Sequence, residues 1–500
     1  MNYRMIAIAV LAMACSAYSE VKLASVFSDH MVLQRDKAVN VWGTTDPGKT
    51  VTVKIGDHSK TTKADSSGKW IVHLDKHKAS QTPVTMTVTE AGGNTISISD
   101  VLFGDVWICS GQSNMEFQLF KANNAAEALP AAKDEQLRLL RVPRVASEKP
   151  LSEQDGKWTL CSPQTARTFS AVGYFFGKEI REREHVPVGL IGAYWSSTAA
   201  ESWTPAKYLN GDKWKPLLEH DHELLAEYPE KHQKWEEKMK TLPPGKRKPA
   251  EPLGPTNSHL SSVLWNGMIN PLIPTTFEGV IWYQGERNAS RAQEYRTLFP
   301  LLIKAWRTEF GEGKFPFLFV QLAGYGKNRG DSDKGSEWAE LREAQTLALK
   351  LPNTGMAVAI DIGSADSIHP TDKQTVGRRL ALSAEKVAYG QNVESVGPTF
   401  KSMKIEGNKI KITFTHAQGL MAKGGVVKGF TIASKDQKFV PAQTTIQGNA
   451  VIVSAENIQQ PVAVRYAWAQ YPDVTLYNSA GLPAVPFRTD NWPEVTAGQW

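Results

Sequence analysis

Hydrophobic and polar positions alternate with period two over short stretches at both ends of the chain, and give way to longer apolar runs in between. Near the start, Thr50-Val51-Thr52-Val53-Lys54-Ile55 and Val84-Thr85-Met86-Thr87-Val88-Thr89 alternate cleanly, with turn signals at Asp46-Pro47-Gly48, Ser67-Gly68 and Gly92-Gly93-Asn94. Alternation of this kind turns one face of each strand inward and predicts an all-β segment. The same texture returns after about residue 391, in Lys409-Ile410-Lys411-Ile412-Thr413-Phe414 and Ala450-Val451-Ile452-Val453. Between these ends, apolar runs at 101–109, 137–142, 188–194, 279–283, 317–322 and 356–362 alternate with helical patterns near 170–183, 292–310, 336–350 and 371–389. Strands without a polar face, interleaved with helices, predict an α/β domain with a parallel sheet covered on both sides. The last helical pattern carries Val376, Leu380, Ala384, Val387 and Ala388 at helical spacing, with Thr371 as its N-cap and Gly390 as its stop.

A charged stretch at 207–255 breaks this rhythm, and Trp214, Leu217, Leu218, Leu225 and Trp235 predict a helix or two laid over the domain. His220 and His222, two apart on a helix, point to different faces and read as solvated rather than as metal ligands.

The length of 500 residues exceeds what one core sustains, so the chain divides. The texture places a signal peptide at 1–19, a β module at 20–99, a central domain at 100–390 with an insertion at 205–260, and a second β module at 391–500. Arg4, the apolar run 5–13 and the small residues of Ala17-Tyr18-Ser19 mark the signal peptide, so a secreted or periplasmic protein is expected. A lipid anchor at Cys15 is the weaker alternative, because Ala12 is a poor match to the branched residue such sites favour. No later run is long and apolar enough for a membrane span. Removal of the leader leaves Cys109 and Cys161, which read equally as a disulfide and as buried thiols. A net charge of +6 is spread along the chain, and the one basic cluster, Lys246-Arg247-Lys248, sits in a proline-rich loop, so nucleic acid is not expected as a partner.

The strongest chemical signal is Ser110-Gly111-Gln112-Ser113-Asn114-Met115, directly after the run 101–109. A serine hydroxyl attacks only when a base takes its proton and donors stabilise the oxyanion. A glycine turn from strand into helix exposes the hydroxyl beside free helix amides. Three further polar clusters follow predicted strands: Trp195-Ser196-Ser197-Thr198, Gln284-Gly285-Glu286-Arg287-Asn288 and Asp366-Ser367-Ile368-His369-Pro370. Ligands bind at the carboxyl ends of parallel strands, so all four clusters are expected to converge on one crevice. His369 is the histidine placed between such a strand end and a helix, and is the expected general base. Asp366, three residues earlier, is the candidate partner for its other ring nitrogen.

Together, GQSNM, WYQGE with a following Asn, and IHP before a helix resemble the sialate O-acetylesterase branch of the SGNH hydrolases. Segments near both ends, Phe27 to Gln34 and Arg465 to Trp468, extend the resemblance over most of the chain. It implies a flavodoxin-like, three-layer, doubly wound parallel sheet and a serine esterase that needs neither metal nor cofactor. It assigns Ser113 as nucleophile, His369 as base, and Gln284, Asn288 and Ser197 as oxyanion or substrate contacts; Gln112, beside the serine, is a further candidate contact. Asn288 also reads as a turn residue within a formal glycosylation sequon.

Three positions depart from the family pattern. Ser196-Ser197-Thr198 replaces a Gly-Gly-Thr run, Arg287 replaces the serine of QGES, and Ser367 stands where many relatives carry an aspartate. Arg287 then either meets a substrate carboxylate or forms an outward salt bridge. Either Asp366 or a backbone carbonyl orients His369. The expected partner is an acetylated sugar or glycan, with acetylated xylan as the rival to O-acetyl sialic acid; oligomeric state is not legible. A non-catalytic sugar-binding protein is the reading from a different class, through Trp42, Trp70, Trp468 and Trp492 of the flanking β segments.

Overall fold

A computed structural model describes residues 20–243, 245–329 and 335–499, so the signal peptide and Cys15 lie outside the described residues. The chain folds as a mixed α/β protein around one large sheet, with further all-β sheets toward its C-terminus. The central strands are β1 (Thr95–Gly111), β2 (Asp134–Arg141), β3 (Trp158–Cys161), β4 (Val188–Tyr194), β5 (Gly279–Tyr283), β6 (Phe317–Gln321) and β7 (Thr354–Val358). They lie in the order β3-β2-β4-β1-β5-β6-β7. All neighbours are parallel except the edge strand β3, which runs antiparallel to β2.

Helices cover both faces. Alternation along β1 sends Trp107 and Cys109 to one side, where Phe176 and Gly173 of α2 (Ala171–Glu184) meet them. On the other side, Trp282 of β5 packs against Phe299 and Trp306 of α4 (Ala292–Phe310). Between these two helices in sequence, the insertion forms a single long helix, α3 (Lys215–Lys240), anchored by buried Trp214 and Leu217. His220 and His222 on α3 open onto different cavities, as their spacing predicts. The Lys246 to Lys248 cluster is exposed loop.

Two further helices, α5 (Glu337–Leu347) and α6 (Lys373–Val387), complete the layers. Asp372, rather than Thr371, caps α6: its carboxylate accepts the Thr375 amide at 3.0 Å, one residue later than expected. A carboxylate at this position satisfies an orphan amide and suits the positive end of the helix, which a threonine hydroxyl does less well. The run 356–362 is a strand only to Val358, after which Ile360–Ile362 turns as a short 3-10 helix.

The first β segment is not set apart from the centre. β1 is seventeen residues long and crosses the 99/100 boundary drawn from the sequence. Its first half pairs antiparallel with Ser80–Glu90, and Val32–Gln34 adds parallel beside Leu102 to Gly104. Texture changes at residue 100 because burial on both faces begins there, while the hydrogen-bonded strand runs on. Lys22–Leu23, Val39–Thr44 and Lys69–Leu74 form a separate small sheet.

At the other end, two four-stranded sheets and a two-stranded ribbon follow residue 399. Arg342 of α5 ties them to the centre: its buried guanidinium donates to the carbonyls of Leu322, Ala323, Ala469 and Gln470, at 2.7 to 2.9 Å. Burial lowers its pKa to about 9. Cys109 and Cys161 are free, buried thiols, so no disulfide joins them.

Arg342→Met leaves four buried carbonyls without a donor. It is expected to cost on the order of 3 kcal/mol, read by urea unfolding, and to free the C-terminal sheets for limited proteolysis first.

Candidate active site

Strand register levels the rim. Gly111, the last residue of β1, pairs with Tyr194 on one side and with Tyr283 on the other. The three strands therefore end at one height, and the segments that leave them start side by side. At Gly111 the backbone takes φ +134°, and a Cβ there would stand 2.2 Å from the Tyr283 carbonyl oxygen, so only glycine fits. The turn opens a one-turn helix, α1 (Ser113–Glu116), with Ser113 first.

Ser113 and His369 open onto one cavity of about 610 Å³, a size suited to a sugar-sized ligand. Among the described residues, neither Ser113 Oγ nor the His369 ring is engaged in a hydrogen bond. Burial, then Lys373 and Lys121, hold the imidazole below its ordinary value of 6.5, so it is neutral at pH 7 and able to accept a proton. One wall of the cavity is built on Glu116, whose Oε2 accepts the Ser196 amide at 2.8 Å and the Ser196 hydroxyl at 2.6 Å. Its other oxygen meets Arg144, with Arg141 at 3.6 Å.

Other predicted residues take different places. Asp366 is exposed and makes no hydrogen bond to the His369 ring; its amide donates to Ser364 Oγ at 3.3 Å. The reason lies in Ser367, whose Oγ accepts the His369 amide at 3.1 Å and donates to the His369 carbonyl at 3.3 Å. That tight turn faces Asp366 outward. Gln284 is fully buried, and its amide donates to the Thr198 carbonyl at 3.2 Å and to Asn288 Oδ1 at 2.7 Å. Asn288 in turn accepts the Ala200 amide and donates to Glu201. Both side chains thus bind the 198–201 segment to the rim instead of presenting free donors to the cavity. Full burial also closes Asn288 to glycosylation in the folded chain.

Gln112 is buried as well, with Oε1 3.4 Å from the Gly285 amide and 3.3 Å from that of Arg287. It staples the serine turn to the segment after β5. Ser197 is exposed with φ +63°, the left-handed region where glycine is at ease. Arg287 points outward without an ion pair among the described residues, into a second cavity of about 370 Å³ shared with His259, which it helps to hold below its ordinary pKa.

Sequence reasoning missed Asn114, Glu116, Arg144 and Lys373. Asn114 is buried beside Ser113, and Lys373 is fully buried four residues past His369. Asn114 stood within the motif already singled out, and Arg144 two residues past a predicted strand, but only the packed rim shows their partners.

Residues 263–386 match the family described as carbohydrate esterase, sialic acid-specific acetylesterase. The sialate O-acetylesterase of Rattus norvegicus is 34% identical over 93% of this chain and 94% of its own length. That of Homo sapiens is 32% identical over 93% of this chain and 92% of its own. Among solved structures, a carbohydrate acetylesterase from Xanthomonas citri superposes with a TM-score of 0.82 at 40% identity, covering 94% of this chain and all of its own. With about a third of its residues identical to these relatives along nearly their whole length, the chain belongs to the sialate O-acetylesterase family.

Proposed function

We propose that this chain is a serine acetylesterase that removes O-acetyl groups from sialic acid. The observation that carries the reading is the shared cavity of Ser113 and His369, with both side chains uncommitted and the imidazole held neutral. Ser113 Oγ attacks the acetyl carbonyl carbon as His369 takes the hydroxyl proton. The tetrahedral oxyanion is met by backbone amides: that of Ser113, first in its helix, and, as the family resemblance implies, one from the Ser196-Ser197-Thr198 loop, whose Ser196 lines the cavity. Collapse breaks the bond to the sugar oxygen, which leaves with the proton from His369. Water then repeats the attack on the acetyl-enzyme, its proton passes through His369 to Ser113 Oγ, and acetate departs.

The flavodoxin-like arrangement of the SGNH hydrolases belongs to the same proposal. With β2 and β3 set aside as an edge addition, β4, β1, β5, β6 and β7 lie in the order 2-1-3-4-5. Export to the periplasm or beyond is proposed from the apolar run 5–13 and the Ala17-Tyr18-Ser19 site. Among the described residues no helix is long and apolar enough to cross a membrane.

A second substrate reading has support. The Xanthomonas citri neighbour is described as a carbohydrate acetylesterase, without restriction to sialic acid. Acetylated xylan and O-acetylated sialic acid offered side by side, with acetate as the readout, separate the two. The sugar-binding reading loses its platform, because Trp70 and Trp468 are buried and Trp42 and Trp492 pack edge-on or tilted against Phe27 and Phe439.

Ser113→Ala is expected to lower acetate release at least about a thousandfold with an unchanged circular dichroism spectrum. An unaltered rate would remove the mechanism. In the pH profile of kcat/KM, activity is lost as pH falls through the His369 pKa, so the acid limb should centre below 6.5. Asp366→Asn is expected to change the rate less than about threefold, against the roughly 10⁴-fold loss that follows removal of an orienting carboxylate.

A further inference from the structure

If His369 is the base, something other than Asp366 must hold it over Ser113. Among the described residues the imidazole meets no carboxylate, yet its loop is fixed at both ends to Asn114, the residue after Ser113. Asn114 Nδ2 donates to the carbonyl of Ile368, the residue before His369, at 3.0 Å. The same nitrogen donates its other hydrogen to Glu286 Oε1, and Asn114 Oδ1 accepts from Lys373 Nζ. Both amide hydrogens and the amide oxygen are therefore spent, which fixes the orientation of the group. Lys373 is the first residue of α6, four past His369, and Glu286 leaves β5 beside Gln284.

We propose that Asn114, held between Lys373 and Glu286, positions the His369 loop against Ser113 and replaces the anchoring that a carboxylate gives in a Ser–His–Asp triad. Three rim segments meet on one side chain. The anchoring acts through the loop backbone, since nothing in the cluster touches the imidazole nitrogens.

Energetics favour a positioning role over a stabilising one. Lys373 is fully buried over the rings of Phe117 and Tyr283, at 4.9 and 5.1 Å. Burial pushes its pKa down to about 7 against the pull of Glu286, and burial likewise raises Glu286. Among the described residues Glu286 Oε2 is sealed from solvent and accepts no hydrogen bond of good geometry. Buried ionic groups with an unmet oxygen stabilise a fold poorly, whereas they specify one arrangement of the segments they join. Lys373 has a second effect: after burial, its charge and that of Lys121 lower the imidazole's pKa, and Glu116 and Arg144 also line the cavity.

The proposal rests on Ser113 and His369 being the reacting pair, and the test separates the two. In the full chain, Asn114→Leu and Lys373→Met are compared with wild type for p-nitrophenyl acetate kinetics and for the His369 titration by NMR. Both variants should lower kcat by about a hundredfold, the scale of a misplacement near 1 Å, with KM changed less than about twofold. Lys373→Met should also raise the His369 midpoint, and Lys373→Arg should restore it. Should Lys373→Met not fold, Lys373→Arg and Asn114→Leu carry the kinetic arm, with the arginine variant closer to wild type in kcat. Unchanged kcat in Asn114→Leu, or kcat and KM moving together with a lowered melting temperature, overturns the positioning role. A His369 midpoint unmoved in Lys373→Met overturns the charge effect of Lys373 on the imidazole, while the kinetic arm decides the loop anchoring. A wild-type protein that releases no acetate defeats the esterase reading instead, and the titration still reports on the cluster.

Discussion

The hydrogen-bonded register around β1 is the constraint from which the site follows. Gly111 is level with Tyr194 and Tyr283, so a serine turn, a serine-rich loop and a Gln-Gly-Glu segment begin at one height though they lie far apart in the chain. Parallel strands force this arrangement, because each crossover returns the chain to the same end of the sheet before the next strand starts. A side chain on Gly111 would collide with the Tyr283 carbonyl and push β1 and β5 apart where they must close. The position of Ser113 is thus set by backbone geometry before any side chain takes part.

On that frame the rim is wired by buried polar groups instead of by packing alone. Gln112 receives the amides of the Gly285 segment, Gln284 and Asn288 fasten 198–201, and Asn114 fastens the histidine loop. Each of these side chains joins segments more than eighty residues apart in sequence, apart from the Gln284–Asn288 pair. A polar group buried without a partner costs about 1–3 kcal/mol, so once one of these networks closes the alternatives are disfavoured together. The cavity keeps as uncommitted the two groups that the proposed reaction uses, a hydroxyl and a neutral imidazole.

The flanking β regions support this centre in different ways. The first is continuous with it through the long strand β1, so the sheet edge and the strand leading to Ser113 share one backbone. The second docks by polar contacts, with Arg342 reaching four carbonyls and Glu340 accepting from the amides of Val495 and Thr496. Tyr477 adds a bond to Asp361, just past β7 and on the way to the histidine loop. The C-terminal region therefore braces the edge of the sheet from which His369 departs.

By itself the sequence determined most of the strands and helices in the centre, the antiparallel edge strand β3 excepted, because apolar runs buried on both faces and helical periodicity are local properties. It also pointed to Ser113 and His369, since a serine in a glycine turn and a histidine before a helix are visible within a few residues. Partners were another matter. Gln284 and Asn288 looked like free donors and turned inward; Asp366 looked like an orienting carboxylate and turned outward; Cys109 and Cys161 stayed apart. Asn114 and Lys373 gave no signal of their contact. Only the tertiary structure decided these, because the direction of a hydrogen bond depends on rotamers chosen when distant segments pack, and no local pattern encodes that choice.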